Sequence, residues 1–287
     1  MLVIAEEGAI PVAGCAAGVI GDPVAHSLSP LIHRAAYAAL GLDWTYGAFR
    51  VPVGEVPEAL RAAAARGLRG LSVTTPHKIA VAEACDERSA EVERIGAANT
   101  VVFGSRGARA ETTDGGGFVD DLAETWGFDP AGEVCAVLGA GSTARAIVAA
   151  LGDAGAREIL VVNRTASHAE TAAALAGAAG RVAAPGEVGL AALVVQATSV
   201  GFAGDVTGYA GGWEAITRHL GADQFVVDVV YEPRVTEFLA LAGTQGSQVR
   251  NGLGVLVHQA ARQVALFTGK EAPLDAMFAA LGLTRER

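Results

Sequence analysis

Residues 134–165 read VCAVLGAGSTARAIVAALGDAGAREILVVNRT. The stretch opens on an apolar run of strand length, 134–138. It then reaches Gly139-Ala140-Gly141-Ser142-Thr143-Ala144, a G-x-G-x-x-A turn. The alanine-rich segment that follows, to about residue 154, predicts a helix. The apolar run 159–162 predicts a second strand and closes a βαβ unit. Gly139 permits the tight turn, Gly141 lets backbone approach a pyrophosphate, and Ala144 keeps the helix close to the sheet. The helix N-terminus adds free N–H groups and a positive dipole end. Glycine spacing alone is weak evidence. Glycines set between a strand and a helix, with a second strand behind, are far more specific.

The end of the second strand bears on the ligand. An acid there would accept from a ribose 2′-OH. This chain instead places Asn163, Arg164 and Thr165 at that point. A guanidinium beside a hydroxyl suits a 2′-phosphate through charge-assisted hydrogen bonds. The reading is NADP(H) over NAD(H), against the plainer reading of Arg164 as a solvated surface residue.

The chain has 287 residues, enough for two domains with sizeable cores. Hydrophobic residues make up 51% and charged residues 18%, which sets a globular chain apart from a disordered one. A formal net charge of −10 argues against nucleic acid or an anionic membrane as partner. Cys15, Cys85 and Cys135 are odd in number and far apart. They read as small apolar residues in a reducing compartment, here the cytoplasm, and not as a disulfide framework. No run spans a bilayer. Val12-Ala13-Gly14-Cys15 faintly resembles a lipoprotein cleavage site, but no Lys or Arg precedes it and Glu6 and Glu7 interrupt the apolar run. Residues 1 to about 13 read as a loose extension.

From residue 15 onward, strands alternate with helices. Strands are predicted at 15–20, 44–49, 71–73, 101–103 and 110–113, and helices at 30–40, 54–66, 78–84, 90–95 and 118–126. After the βαβ unit, strands are expected at 193–197 and 225–230, and helices at 255–267 and 274–281. Two α/β series in one chain predict two open sheets facing a cleft. Several polar clusters follow strand ends. Ser27 and Ser29 precede Pro30 at a helix start, where capping competes with anion binding. Thr74-Thr75-Pro76-His77-Lys78 follows the 71–73 strand, where ligands of α/β sheets lie. Asn99 and Thr100 abut an apolar run, either as a turn signal or as a site.

Taken in order, these motifs resemble the shikimate dehydrogenases. That family shows G-x-P-x-x-H-S-x-S-P-x-x-H-N near its start, and here stand Gly21, Pro23, His26, Ser27, Ser29, Pro30 and His33. N-V-T-x-P-x-K appears as Ser72-Val73-Thr74-Thr75-Pro76-His77-Lys78, G-A-x-N-T as residues 96–100, and N-T-D-G-x-G as Thr112-Thr113-Asp114-Gly115-Gly116-Gly117. The glycine turn and Asn163-Arg164-Thr165 match in their turn. So do Gln196-Ala197-Thr198-Ser199, then Asp228, Tyr231, Pro233 and Thr236, and finally Asn251-Gly252-Leu253 with Gln259. The departures are Arg34, Ser72 and Thr112 for Asn, Ser142 for Gly, and His168 where some relatives carry a second Arg. Ser72 loses reach toward a substrate.

The resemblance implies reversible reduction of 3-dehydroshikimate to shikimate. A ketone accepting hydride develops alkoxide charge and needs a proton source and a positive group. Lys78 can be both, with Asp114 orienting it and accepting from a substrate hydroxyl. Ser27, Ser29, Ser72 and Thr74, with Asn99, Tyr231 and Gln259, would bind substrate. Gly139, Ala140, Gly141, Ser142, Thr143, Asn163, Arg164, Thr165, Thr198, Val229 and Gly252 would hold NADP(H). The implied substrate domain is discontinuous, 1–113 plus 252–287, around a Rossmann-type nucleotide domain, 114–251. Its sheet is mixed but mainly parallel. His26, His33 and His77 lack partners at metal-ligand spacing, so no metal is implied. The partner is a small molecule, and the chain is a monomer or homodimer. The alternatives are a dehydrogenase of quinate or an amino analogue, or a cofactor-binding protein of this fold without catalysis.

Overall fold

The structure is a computed structural model and describes residues 15–201 and 211–285. The expected N-terminal extension lies outside the described residues. The chain divides into two compact units, Met1–Gly117 with Leu256–Arg287, and Phe118–Val255.

The first unit carries strands β1 (Cys15–Gly21), β2 (Thr45–Arg50), β3 (Gly70–Val73), β4 (Glu87–Arg88), β5 (Thr100–Gly104) and β6 (Gly107–Glu111). Helices α1 (Ser29–Ala39), α2 (Val56–Ala65), α3 (Lys78–Ala84) and α4 (Ala90–Ile95) connect them. The chain leaves this unit within α5 (Asp114–Trp126). The sheet order is β2-β1-β3-β5-β6-β4. The β1 strand is parallel to β2 and β3, whereas β5 is antiparallel to β3 and β6. Successive strand residues point to opposite faces, and the core divides accordingly. Ile20, Leu71 and Val73 pack with α2 and α3 on one face. Ala17, Val19, Tyr46 and Ala48 pack with α1 and the C-terminal helices on the other. Ser72 lies between Leu71 and Val73 and therefore faces the second layer.

The second unit carries β7 (Val134–Leu138), α6 (Ser142–Asp153), β8 (Glu158–Val162), α7 (Ala166–Ala174), β9 (Gly180–Val182) and β10 (Leu193–Gln196). It continues with α8 (Glu214–Thr217), β11 (Phe225–Asp228), α9 (Glu237–Thr244) and β12 (Gln248–Asn251). Its sheet, β12-β11-β10-β7-β8-β9, is parallel throughout. Every residue of β7 is buried, the continuous apolar run of a strand covered on both faces. Cys135 and Val137 pack into one layer, Val134, Ala136 and Leu138 into the other. The strand order reverses between β7 and β10, where doubly wound sheets take their ligands. The chain returns to the first unit within α10 (Leu253–Thr268) and ends in α11 (Leu274–Ala280).

The structure corrects several sequence expectations. Helix α5 begins at Asp114 and takes in the three glycines that read as a loop before residue 118. Packing overrides their poor helix propensity. A Cβ on Gly117 would lie 2.5 Å from the Gln259 backbone nitrogen, and one on Gly116 2.5 Å from the Arg262 guanidinium. The glycines let α5 cross α10 at backbone contact. Strand β6 begins and ends earlier than the expected 110–113, and β4, β9 and β12, with α7 and α9, add elements that the chain reading left out.

Candidate active site

In the first unit, parallel and antiparallel neighbours bring polar segments to one end of the sheet. The C-terminal ends of β1 and β3 lead to residues 22–30 and 74–78. Because β5 runs opposite to β3, its start, with Asn99, lies at the same end. The β6 strand then delivers Thr113 and Asp114 there.

Lys78 is the first residue of α3, where its cation opposes the helix dipole. Its Nζ donates to Asp114 Oδ2, and the two side chains are only 14% and 12% exposed. Local helix stability does not explain a lysine here; the facing carboxylate does. Asp114 Oδ1 accepts from Asn99 Nδ2 at 2.7 Å. Asn99 Nδ2 also lies 2.9 Å from Thr113 Oγ1 and 3.1 Å from Gln259 Oε1, and Asn99 Oδ1 accepts from Thr113 N at 2.8 Å. Gln259 Nε2 donates to Leu256 O. Lys78, Asp114, Asn99 and Gln259 therefore form one connected group.

Ser72 Oγ is buried. It donates to Gln263 Oε1 and accepts from Tyr46 OH, both at 2.6 Å. Ser27 and Ser29 do not form a regular helix cap. The cap position is Leu28, no side chain caps α1, and Ser27 Oγ accepts from Ser29 N at 3.3 Å. The hydroxyls of Ser29 and Thr74 make no hydrogen bond among the described residues. A Cβ on Gly21 would lie 2.5 Å from the Thr74 methyl, so the turn after β1 closes tightly on that segment. His77 Nε2 lies 2.7 Å from the Val51 carbonyl, and His33 Nδ1 lies 2.9 Å from the Ser29 carbonyl. Both histidines are structural in this arrangement.

In the second unit, Gly139 has φ +114°, and a Cβ there would lie 3.0 Å from the Ala197 backbone. Gly141 contrasts with it. A Cβ at Gly141 would meet nothing within 4 Å, so the protein's own packing does not require glycine there, whereas close approach of a ligand would. No side chain caps α6. Its second turn carries Arg145, whose Nε is buried without a hydrogen-bond partner and whose guanidinium is pulled down by burial. Open glycine, uncapped helix start and desolvated cation fit an anionic group such as a dinucleotide pyrophosphate.

At the end of β8, Asn163 Nδ2 donates to Thr165 O at 3.0 Å. Arg164 and Thr165 are exposed, and Arg164 makes no ion pair among the described residues. Across the switch point, Gln196 Nε2 donates to Asp228 Oδ1 and Val200 O, and Gln196 Oε1 accepts from Thr198 N. Asp228 accepts further from Val230 N and Thr236 Oγ1. This buried pair holds the Thr198 turn and the segment leading to half-buried Tyr231. A Cβ on Gly252 would lie 2.1 Å from Val229 O, so the ends of β11 and β12 meet at backbone contact. Sequence reasoning missed Tyr46, Gln263 and the Gln196–Asp228 contact. The helical spacing from Gln259 to Gln263 was the one available signal.

Two buried groups titrate in opposite senses. Burial lowers His33 from 6.5 to about 4, so its neutral form favours the fold above pH 6.5, and that support fades as pH falls toward 4. Burial raises Asp228 from 3.8 to about 6, so its ionised form costs stability at neutrality, and that cost lifts as pH falls from 6 toward 3.8. Each shift corresponds to ~3 kcal/mol at most. Between pH 7 and 5 the first unit should therefore lose stability and the second gain it. Trp44 reports on the first unit, and Trp126 and Trp213 on the second. Urea unfolding followed through single-tryptophan variants should show the divergence; a parallel loss in both would refute it. Cys85 and Cys135 are buried free thiols, each pushed up to about 12 by burial and unreactive at neutral pH. Among the described residues no cluster of His, Cys, Asp and Glu could hold a metal ion, and no helix is long and apolar enough to cross a membrane.

A doubly wound parallel sheet with a glycine turn at its switch point, in one chain with a unit bearing a partly buried lysine–carboxylate pair, defines an α/β dehydrogenase with a Rossmann-type domain. Comparison with known proteins narrows the class. Residues 19–101 match the shikimate dehydrogenase substrate binding domain, 121–184 the shikimate / quinate 5-dehydrogenase model and 252–281 the shikimate 5′-dehydrogenase C-terminal domain. The chain is 42% identical over 275 residues to shikimate dehydrogenase (NADP(+)) of Moorella thermoacetica, covering 90% of each. It is similar to the shikimate 5-dehydrogenase of Thermus thermophilus solved with NADP(H) and shikimate, at 34% identity and TM-score 0.81 over 92% of this chain and 97% of that one. It is similar also to the Listeria monocytogenes enzyme solved with shikimate and NAD, at 31% identity and TM-score 0.82 over 94% and 97%. The chain belongs to the shikimate dehydrogenase family.

Proposed function

We propose that this protein catalyses the reversible, NADP(H)-dependent interconversion of 3-dehydroshikimate and shikimate. The partly buried Lys78–Asp114 pair carries the reading. Family membership and relatives solved with shikimate and NADP(H) support it. Bound NADP(H) supplies or accepts the hydride. Lys78 holds a proton at Nζ, gives it to the carbonyl oxygen as alkoxide charge develops, and takes it back in the oxidation. Asp114 orients Lys78 and accepts from a substrate hydroxyl. The hydroxyls of Ser27, Ser29 and Thr74 receive the substrate carboxylate, and Gln259 and Tyr231 the remaining polar groups. The second unit holds the cofactor through the 139–143 turn, Asn163-Arg164-Thr165, Thr198, Val229 and Gly252. The free buried thiols suit a reducing cytoplasm.

Steady-state rates with shikimate, quinate and aminoshikimate, each with NADP and NAD, test this reading. Shikimate with NADP should give the highest kcat/KM. Cofactor binding without turnover of any of the three would favour a non-catalytic protein. Gly141 gives a second test. Because its Cβ would meet no protein atom, Gly141→Ala should leave Tm nearly unchanged and weaken NADP binding at least ~10-fold, read by calorimetry. A large loss of Tm with intact affinity would make this glycine a folding requirement only.

A further inference from the structure

The buried polar groups behind Asp114 form a chain whose direction can be deduced link by link. Asn99 Oδ1 faces the Thr113 backbone N–H at 2.8 Å, and Asn99 Nδ2 faces the Asp114 carboxylate at 2.7 Å. A backbone N–H only donates and a carboxylate only accepts, so the Asn99 amide has one orientation. Thr100 Oγ1 lies 2.9 Å from Asn99 Oδ1 and must donate to it. Its proton spent, Thr100 accepts from Gln263 Nε2 at 3.0 Å, and the Asn99 backbone carbonyl, 3.3 Å from the same nitrogen, fixes the Gln263 amide. Gln263 Oε1 then faces Ser72 and accepts its proton at 2.6 Å. Tyr46 OH must in turn donate to Ser72 at 2.6 Å.

Every link therefore points the same way: Tyr46, Ser72, Gln263, Thr100, Asn99, Asp114. The register explains the meeting. Ser72 and Thr100 are cross-strand partners of β3 and β5, and Gln263 descends from α10 to bridge them. The five residues behind Asp114 are at most 4% exposed. Aligned bonds in a dry interior polarise one another, and here the donor end of the chain is turned on the carboxylate.

We propose that Tyr46, Ser72 and Gln263 are positioning residues, which act through Thr100 and Asn99 to hold the Asp114 carboxylate aimed at Lys78. Ser72 on this view serves the catalytic pair from behind and does not contact substrate. The kinetic part rests on the function proposed above; the chain itself does not.

Three variants test it: Tyr46→Phe, Ser72→Ala and the double variant. Tyr46→Phe retains the ring that stacks on His33 at 4.1 Å. Each single change should lower kcat for shikimate oxidation about 3- to 10-fold, the range of one neutral hydrogen bond, with KM within about twofold. The double variant should be no slower than Ser72→Ala, since the chain from Tyr46 reaches Asp114 by way of Ser72. In ligand-free protein, the NMR signals of the Asn99 side-chain amide should shift in all three. A raised KM with normal kcat in Ser72→Ala would make Ser72 a substrate contact and overturn the proposal, as would multiplying effects in the double variant. Unmoved Asn99 signals would overturn the chain. Wild-type protein inert toward shikimate would sink the function instead, and the Asn99 signals would still decide the chain.

Discussion

Replacing Lys78 with alanine should lower kcat for shikimate oxidation by at least ~100-fold while KM for shikimate changes little. General acid–base help is worth about 100- to 10,000-fold, and stabilising a developing oxyanion adds to it. Both belong to the transition state more than to the ground state, so the loss should fall on kcat. The geometry sharpens the expectation. Lys78 bonds the Asp114 Oδ2 atom, and it stands at a helix start where its charge is unfavourable unless paired. Removing it leaves a largely buried carboxylate without its cation, so Tm should fall too. Rates must be read where circular dichroism shows native protein. Lys78→Met keeps more of the apolar stem and should lose the same activity with a smaller fall in Tm. A variant with near-normal kcat would move proton transfer to another group.

Replacing Arg164 with alanine should raise KM for NADPH about 10- to 150-fold and leave KM for NADH almost unchanged. A hydrogen bond to a charged group contributes ~1.5–3 kcal/mol, which converts to that range. Arg164 stands exposed at the end of β8 beside Thr165, with no protein carboxylate engaging it among the described residues. Asn163 is tied to the backbone of Thr165 and brings no negative charge. A 2′-phosphate would therefore meet a cation that no carboxylate has claimed, at a site without repulsion. Wild-type protein that uses NADH as well as NADPH would make Arg164 a surface residue. The Listeria monocytogenes relative, solved with NAD, makes that comparison worth running first.

What could be read from the chain followed from how local each signal is. The 134–165 stretch carries its strand, turn and helix in consecutive residues, and the structure places them at the same positions. Lys78 was legible because it closes the short polar segment that follows a strand end. The helix start at Asp114 was not, because three glycines argue against a helix until α10 is packed on them. The Ser72 environment was hidden for a different reason. Its partners lie 26 residues before it and 191 after it, and nothing near Ser72 announces either. Short edge strands such as β9 and β12 carry polar residues and lack the buried run that marks β7.

The division of the first unit has a consequence for how the protein is made. Its sheet is complete by Glu111, but Val257, Ala260, Val264, Phe267, Met277 and Phe278 belong to the layer that covers one face of it. On the ribosome those residues emerge only after the whole of Phe118–Val255. The nucleotide-type unit is contiguous and can fold as soon as it is exposed, as domains generally do during synthesis. The first unit must wait with an uncovered apolar face and without Gln259 or Gln263. Birth order and folding order are therefore inverted: the first part translated is the last to become native. Any chaperone dependence should trace to the interval before α10 arrives.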